Sequence, residues 1–184
     1  MSSPKRRRGV RPNGVRCRVA PRRSPFLRAP LLLCGVCLVL AGCGAITGAG
    51  AGPVPPDPSG RAAVACRTLH RALPERVTGL DPVDTRPASR YTAAWGDPSV
   101  ELRCGVSRPD VLRPGSEHYN PTAEAVDVNG VSWLLEQREN GYRFTTTDRA
   151  ARVEVTVPDA YAPEVGVLTA FADPIERTVP PQHG

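Results

Sequence analysis

The chain has few of the residues and none of the motifs from which catalytic sites are usually built. Its 184 residues include three histidines, and no two of them lie at the helical or strand spacing of a metal site. A G-x-S-x-G nucleophile elbow, a glycine-rich phosphate loop and an H-E-x-x-H zinc motif are all missing. The sequence therefore predicts no catalytic residues, no metal site and no cofactor.

Acidic residues are missing from the first part of the chain. Residues 1–28 hold ten of the 24 basic residues, and all 18 acids follow Cys43. The part after Cys43 has 14 arginines against these 18 acids, a formal net charge of −4. Because this part has no basic excess to neutralise phosphates, nucleic acid is not an expected partner.

The chain also has no apolar run long enough for a stable transmembrane helix, which needs about 20 residues. Residues 31–40 form an apolar run after the basic segment, and small residues follow it. This pattern predicts a secretory signal peptide over residues 1–42. The alternative is an uncleaved single-pass membrane anchor. Cys34 and Cys37 leave with a cleaved peptide, so their C-x-x-C spacing does not predict a redox site.

The tetrapeptide Leu40-Ala41-Gly42-Cys43 resembles the lipobox of bacterial lipoproteins. The resemblance implies that Cys43 receives a diacylglyceryl group, with fatty acids such as palmitate, and becomes the first residue of the mature chain. Two acyl chains give a stable anchor, whereas a single chain is marginal. We therefore expect a protein anchored by lipid to the extracytoplasmic face of the cell membrane.

Composition divides the remaining chain into three parts. Residues 43–60 are rich in Gly and Pro and predict a lipidated N-terminus followed by a tether. Residues 61–177 show the periodicity of a single globular domain, and residues 178–184 are expected to be a disordered tail.

Apolar periodicity within the domain predicts a helix over residues 62–73 and a half-buried strand over residues 100–106, with residues 91–95 as its hairpin partner. Asn129-Gly130 predicts a type I′ hairpin that pairs Val128 with Val131. A second hairpin at Asn140-Gly141 would place Gln137 opposite Phe144.

These turns place Trp133, Leu135, Tyr142 and Phe144 on one buried face. Further along the chain, alternation over residues 152–157 predicts another strand, with its valines pointing inward. A last helix is expected to open at Pro163 and to break or kink at Pro174. The predicted fold is α+β: an antiparallel sheet of five or six short strands, with an N-terminal and a C-terminal helix packed on one face.

Two cysteines of the domain are predicted to meet at the helix–sheet interface. Cys66 lies on the apolar stripe of the first helix, and Cys104 lies on the inward face of the first long strand. Because the compartment outside the membrane is oxidising, we expect a disulfide between them. Two separate buried thiols remain the alternative.

A few polar and aromatic residues are open to a functional interpretation. Asp97 and Glu101 are candidate carboxylates of an envelope hydrolase acting on cell-wall material, if Asp97 and Arg103 converge with His118 in one pocket. The interpretation of Asp97 as a turn residue is simpler. Two further residues, Trp95 and Trp133, are expected in the core rather than in a ligand groove, and His70 is expected to be solvated.

Four segments together are similar to domain-of-unknown-function family 3515, a set of exported or membrane-attached proteins of high-GC Gram-positive bacteria. They are ACRTLHRALPERVTGLDPV, AAWGDPSVELRCGV, VNGVSW and YRFTTTDRAARVEVTVPDAYAP. The resemblance supports Cys66–Cys104 as a shared feature and implies no activity. We therefore expect a non-enzymatic envelope lipoprotein that binds a protein or a cell-wall component.

Overall fold

A computed structural model describes residues 52–182 as an α+β domain built on an antiparallel sheet. The predicted signal peptide, Cys43 and His183 lie outside the described residues. The helices and strands, in chain order, are α1 (Gly60–Ala72), β1 (Pro82–Val83), β2 (Thr92–Trp95), β3 (Val100–Cys104), β4 (Ala125–Val128), β5 (Val131–Arg138), β6 (Gly141–Thr146), β7 (Val153–Pro158) and α2 (Thr169–Thr178).

The described part of the sheet has seven strands in the order β1-β2-β3-β7-β6-β5-β4, and all neighbours are antiparallel. The expected count of five or six is therefore corrected to seven. The additional strand is β1, which pairs Pro82 with Trp95 and Val83 with Ala94. Two residues are too few to show an alternating pattern, so β1 leaves no signal in the sequence.

The first predicted hairpin is confirmed in its register. Val128 pairs with Val131 across a turn in which Asn129 and Gly130 have φ angles of 49° and 79°. Both angles lie in the left-handed region that a type I′ turn requires, and Asn and Gly tolerate it best. The carboxylate of Asp127 accepts a hydrogen bond from the Gly130 N–H at 3.1 Å.

The second hairpin forms with a shifted register, and the predicted pairing of Gln137 with Phe144 is wrong. Arg138 pairs with Gly141, so Leu135 lies opposite Phe144 and the loop residues are 139 and 140. Glycine is needed at position 141 because the backbones of β6 and β7 approach closely there, and not because of the turn. A Cβ on Gly141 would lie 2.2 Å from the Val157 carbonyl oxygen. The shift of two residues keeps every side chain on its predicted face.

One face of the sheet forms the core. Leu102 pairs with Val155, Val155 pairs with Phe144, and Trp133 and Phe144 are fully buried. The predicted inward valines of β7 are all fully buried: Val153, Val155 and Val157. Aromatic and β-branched side chains in directly opposed positions stabilise the sheet by cross-strand packing.

Both helices contribute side chains to the same core cluster. Cys66 and Leu69 of α1 and Phe171 and Ile175 of α2 are fully buried in it. The disulfide joins Cys66 to Cys104 across α1 and β3, with the two Cα atoms 5.5 Å apart. Neither helix is long and apolar enough to cross a bilayer, a statement that covers the described residues alone.

The C-terminal helix begins later than predicted. Pro163 opens a 3₁₀ helix over Glu164–Leu168, and α2 follows directly from it. Pro174 lies inside α2 and does not end it, because the helix continues to Thr178. The Pro174 ring is buried, so its packing offsets the hydrogen bond that its missing N–H cannot make.

The part of the predicted tether that the structure describes lies against the domain. We call residues 52–58 the strap. Pro53 is buried, and the Nε of Arg103 donates a hydrogen bond to the carbonyl oxygen of Val54 at 2.9 Å. A Cβ on Gly105 would lie 2.5 Å from Pro58, so only glycine leaves room for the strap at this point.

The described part of the predicted tail is also held. The Gln182 N–H donates to the Asp148 carbonyl, and the Ala150 N–H donates to the Pro180 carbonyl. The buried guanidinium of Arg149 donates to the carbonyls of both Gly130 and Val179. These hydrogen bonds explain why a Pro-containing segment without periodicity contacts the domain.

Replacing both bridged cysteines with alanine is predicted to lower the free energy of unfolding by roughly 2–4 kcal/mol. The disulfide spans 38 residues, and releasing a loop of that length returns conformational entropy to the unfolded chain. Urea denaturation of the wild type and the Cys66→Ala/Cys104→Ala variant measures the difference. Wild-type protein in reductant is the control and should move in the same direction, whereas equal unfolding midpoints would contradict the prediction.

Candidate functional site

The structure does not bring Asp97, Arg103 and His118 together in one groove. Asp97 is exposed in the turn between β2 and β3, and His118 is exposed in the long segment between β3 and β4. Glu101 and Arg103 lie on β3 and face away from the core. None of these four residues lines either of the two grooves described below.

Arg103 takes part in an ion-pair row on the sheet face opposite the core. The row crosses β3, β7, β6 and β5 in the order Arg103, Glu154, Arg143, Glu136. Arg103 lies 2.9 Å from Glu154, and Arg143 binds both carboxylate oxygens of Glu136 at 2.8 and 3.0 Å. Glu154 is only 8% exposed, so its two arginine neighbours compensate a charge that would be costly alone.

Glu101 is the one carboxylate of the described residues with a resolved pKa shift. Partial burial raises the pKa of Glu101, and the negative charge of Glu154 adds to the shift. The hydroxyl of Ser99, which donates to Glu101 at 3.2 Å, and the charge of Arg103 lower the pKa in part. Burial outweighs both, so this carboxylate holds its proton more strongly than usual.

A groove of about 970 Å³ lies between the C-terminal end of α1 and the β1–β2 connection. Its apolar lining includes Leu73, Val83, Ala93 and Trp95. Trp95 is 2% exposed, and its ring centroid lies 5.3 Å from that of Phe171. Trp95 therefore belongs to the core and forms part of the groove wall, whereas Trp133 is fully buried.

The rim of this groove brings together charged groups from distant parts of the chain. His70 and Glu75 come from the end of α1 and the segment after it, and Asp84, Arg86 and Arg90 come from the β1–β2 connection. All five residues are exposed. An apolar lining with a few converging polar groups is the usual composition of a binding site.

A second groove of about 980 Å³ lies between α1 and the C-terminal segment. Arg61 is its one charged lining residue, and Val64, which is 56% exposed, is part of its apolar wall. Fewer charged groups line this second groove than the first, so the first groove is the stronger candidate for a binding site. Within residues 52–182, no cluster of three or more His, Cys, Asp or Glu side chains is placed to hold a metal ion.

Sequence reasoning placed His70 in solvent and did not single out Arg86 or Arg90. The structure brings all three to one groove because β1 and β2 pair for only two residues and the chain then diverges, which opens a space beside α1. The run of residues 84–91 has no periodicity. The cluster of arginines and turn-forming residues in this run was the only available signal.

Replacing Glu101 with glutamine is predicted to change stability in a pH-dependent way. The pKa is raised from 4.5 in the folded state, so the folded protein binds more protons than the unfolded chain between 4.5 and the raised value. The stability contribution of this group is therefore full below pH 4.5 and is lost as the pH rises through the folded pKa. The stability of Glu101→Gln relative to the wild type should increase from pH 4 to pH 7 by this argument.

Urea denaturation of both proteins across that pH range measures the change. Glu139→Gln is the matched control, since Glu139 is exposed in the β5–β6 loop. If the difference in the free energy of unfolding between Glu101→Gln and the wild type stayed constant across this pH range, burial would not raise the pKa of Glu101.

Comparison with known proteins places the chain in a family without assigning an activity. The family described as "Protein of unknown function (DUF3515)" matches residues 27–184. No curated protein and no solved structure matches the chain. Because the match covers most of the sequence, the chain belongs to the DUF3515 family of proteins of unknown function.

Proposed function

We propose that the protein is a cell-envelope lipoprotein, anchored through Cys43 to the extracytoplasmic face of the cell membrane, and that its domain is a non-enzymatic binding module. The tetrapeptide Leu40-Ala41-Gly42-Cys43 carries this proposal, because it follows a basic segment and an apolar run at the position expected of a lipobox. Cleavage before Cys43 leaves the described domain close behind the anchor.

The groove beside α1 is the proposed binding site for a protein or a cell-wall component of the envelope. Its volume of about 970 Å³ lies within the range of ligand sites. The apolar wall offers contact area, and the Arg, His, Asp and Glu side chains of the rim offer hydrogen bonds to a polar partner.

A hydrolase acting on cell-wall material is the second candidate. Partial burial raises the pKa of Glu101, which is the direction a general acid needs, but Asp97, Arg103 and His118 do not join it in either groove. Glycoside hydrolysis requires a second carboxylate beside the scissile bond, and the neighbouring Glu154 is paired with Arg103. Digestion of purified cell wall that is lost in Glu101→Gln would favour this candidate over the binding module.

Replacing Cys43 with alanine is predicted to abolish fatty-acid labelling and to leave the precursor uncut, because the thiol is the acceptor of the diacylglyceryl group. Metabolic labelling with an alkyne-bearing palmitate, followed by electrophoresis, measures both effects in a bacterial host that processes lipoproteins.

The double variant Cys34→Ala/Cys37→Ala is the control and should be labelled and cut as the wild type is. Labelling that persists in Cys43→Ala would contradict the lipid anchor. A wild-type chain that is neither labelled nor cut would instead support the single-pass membrane protein.

A photo-crosslinking amino acid at Ala88 is predicted to form adducts with an envelope component in living cells, because Ala88 is exposed and lines the groove. The same amino acid at Glu139, an exposed position in the β5–β6 loop, is the control and should give none. Mass spectrometry of the adducts identifies the partner. Equal adducts at both positions would refute the groove as the binding site.

A further inference from the structure

The sheet face that carries the ion-pair row also holds an arginine that the row does not compensate. Arg152 directly precedes β7 and lies two residues before Glu154, so the alternation of the chain directs both side chains to the same face. Arg103 and Arg143 of this face are each paired with a glutamate of the row. Within residues 52–182, Arg152 forms no ion pair.

A second arginine without an ion pair lies beside Arg152. The carbonyl oxygen of Arg152 accepts hydrogen bonds from the N–H groups of Gly105 and Val106, at 2.8 and 3.3 Å. These bonds hold the segment after β3 against Arg152, and Arg108 is two residues further along this segment. Arg108 is exposed, and it too has no acidic partner in the described part of the chain. We call Arg108 and Arg152 the arginine pair.

The positive charges of the arginine pair act on each other. Burial lowers the pKa of Arg152, and the charge of Arg108 lowers it further. A carboxylate at short range would raise this pKa, and none does so. The half-buried guanidinium of Arg152 therefore faces a like charge without a counter-ion, an arrangement that a bound anion would stabilise.

Two acids near the arginine pair are already bound by other arginines. Glu154 is paired with Arg103 on the same sheet face. Asp110, two residues after Arg108, is paired with Arg113. Because each of these carboxylates has its own arginine partner, neither cancels the charge of the arginine pair.

The strap brings one further acid to this part of the domain. Pro58 of the strap lies against Gly105, which hydrogen-bonds to Arg152. Asp57 precedes Pro58, but it is exposed and forms no ion pair with either member of the arginine pair. The strap thus leaves both positive charges uncompensated.

We propose that the arginine pair is a binding site for a phosphate group. Guanidinium groups bind phosphate oxygens through paired, charge-assisted hydrogen bonds, and two of them match the charge of a phosphate dianion. Arg152 is half-buried, so its side chain has less freedom to lose on binding than that of an exposed arginine. Neither arginine lines either groove, so this site is separate from the proposed binding groove beside α1.

NMR titration of the purified protein with inorganic phosphate tests the proposal. The protein is kept in neutral detergent, and sodium chloride holds the ionic strength constant. The side-chain Nε–H signal of Arg152 and the backbone amides of residues 105–108 are expected to shift until the site is saturated. Amides of residues 139–141 in the β5–β6 loop are the reference and should not shift. The absence of shifts at Arg152 and residues 105–108 would overturn the proposal, because phosphate would then only screen the charges as chloride does.

Single variants identify the groups responsible. Arg152→Gln is expected to weaken phosphate binding about tenfold or more, because it removes a charged hydrogen-bond donor from the site. Arg108→Gln is expected to weaken it by a smaller factor, since Arg108 is exposed. Arg177→Gln removes the same charge from an exposed position on α2 and is expected to bind as the wild type does. Equal weakening in all three variants would follow net charge alone and would overturn the site.

Urea denaturation provides a second test that does not depend on Arg152→Gln folding. In chloride, Arg108→Gln is expected to be at least as stable as the wild type, because it removes the repulsion within the arginine pair. At a phosphate concentration ten times the dissociation constant, the folding equilibrium constant of the wild type should rise about 11-fold, and that of Arg108→Gln should rise less. Equal stabilisation of the two proteins by phosphate would contradict the proposal.

Two further ligands distinguish the possible sources of the phosphate group. Dimethyl phosphate represents the phosphodiester of a polymer or a lipid headgroup, whereas inorganic phosphate represents a free ion or a terminal monoester. Binding of both would assign the site to phosphodiesters, and binding of inorganic phosphate alone would assign it to free or terminal phosphate. Either result supports the proposal. Acetate that binds as tightly as phosphate would overturn it, because the site would then recognise any anion.

Discussion

The disulfide between Cys66 and Cys104 is the constraint on which the rest of the arrangement depends. It ties α1 to β3 within the core cluster, and α1 then forms one wall of the groove. The opposite wall comes from β2 and its connection to β1, which are held to β3 by sheet pairing. Both walls are thus attached to β3, one through the disulfide and the other through strand pairing.

The two faces of the sheet have separate roles that the alternation of side chains makes possible. Side chains directed to one face build the apolar core, with Trp133, Phe144 and the β7 valines at its centre. The other face carries the ion-pair row and receives the strap through Arg103. Arg103 therefore links the position of the strap to the polar face, and the strap in turn ends at the groove rim.

The sequence predicts best where a local residue choice has one structural solution. Asn129-Gly130 fixes its hairpin because both residues accept a positive φ, and alternation fixes which side chains of β3 and β7 point inward. Gly141 led to the wrong register for the second hairpin, because glycine is also required where two backbones approach closely.

The groove could not be predicted from the sequence, since His70 and Arg90 are brought together by tertiary packing of segments that have no shared pattern. The strap was unforeseen for a similar reason, because a Pro-rich composition does not reveal that the Val54 carbonyl finds a donor on β3.

The most direct test of the central claim is the intact mass of the mature protein, purified from the membrane of a host that processes lipoproteins. The expected mass is that of a chain that begins at Cys43 and carries a diacylglyceryl group on the thiol of that residue. A mass that corresponds to a chain retaining residues 1–42, or to an unmodified Cys43, would contradict it.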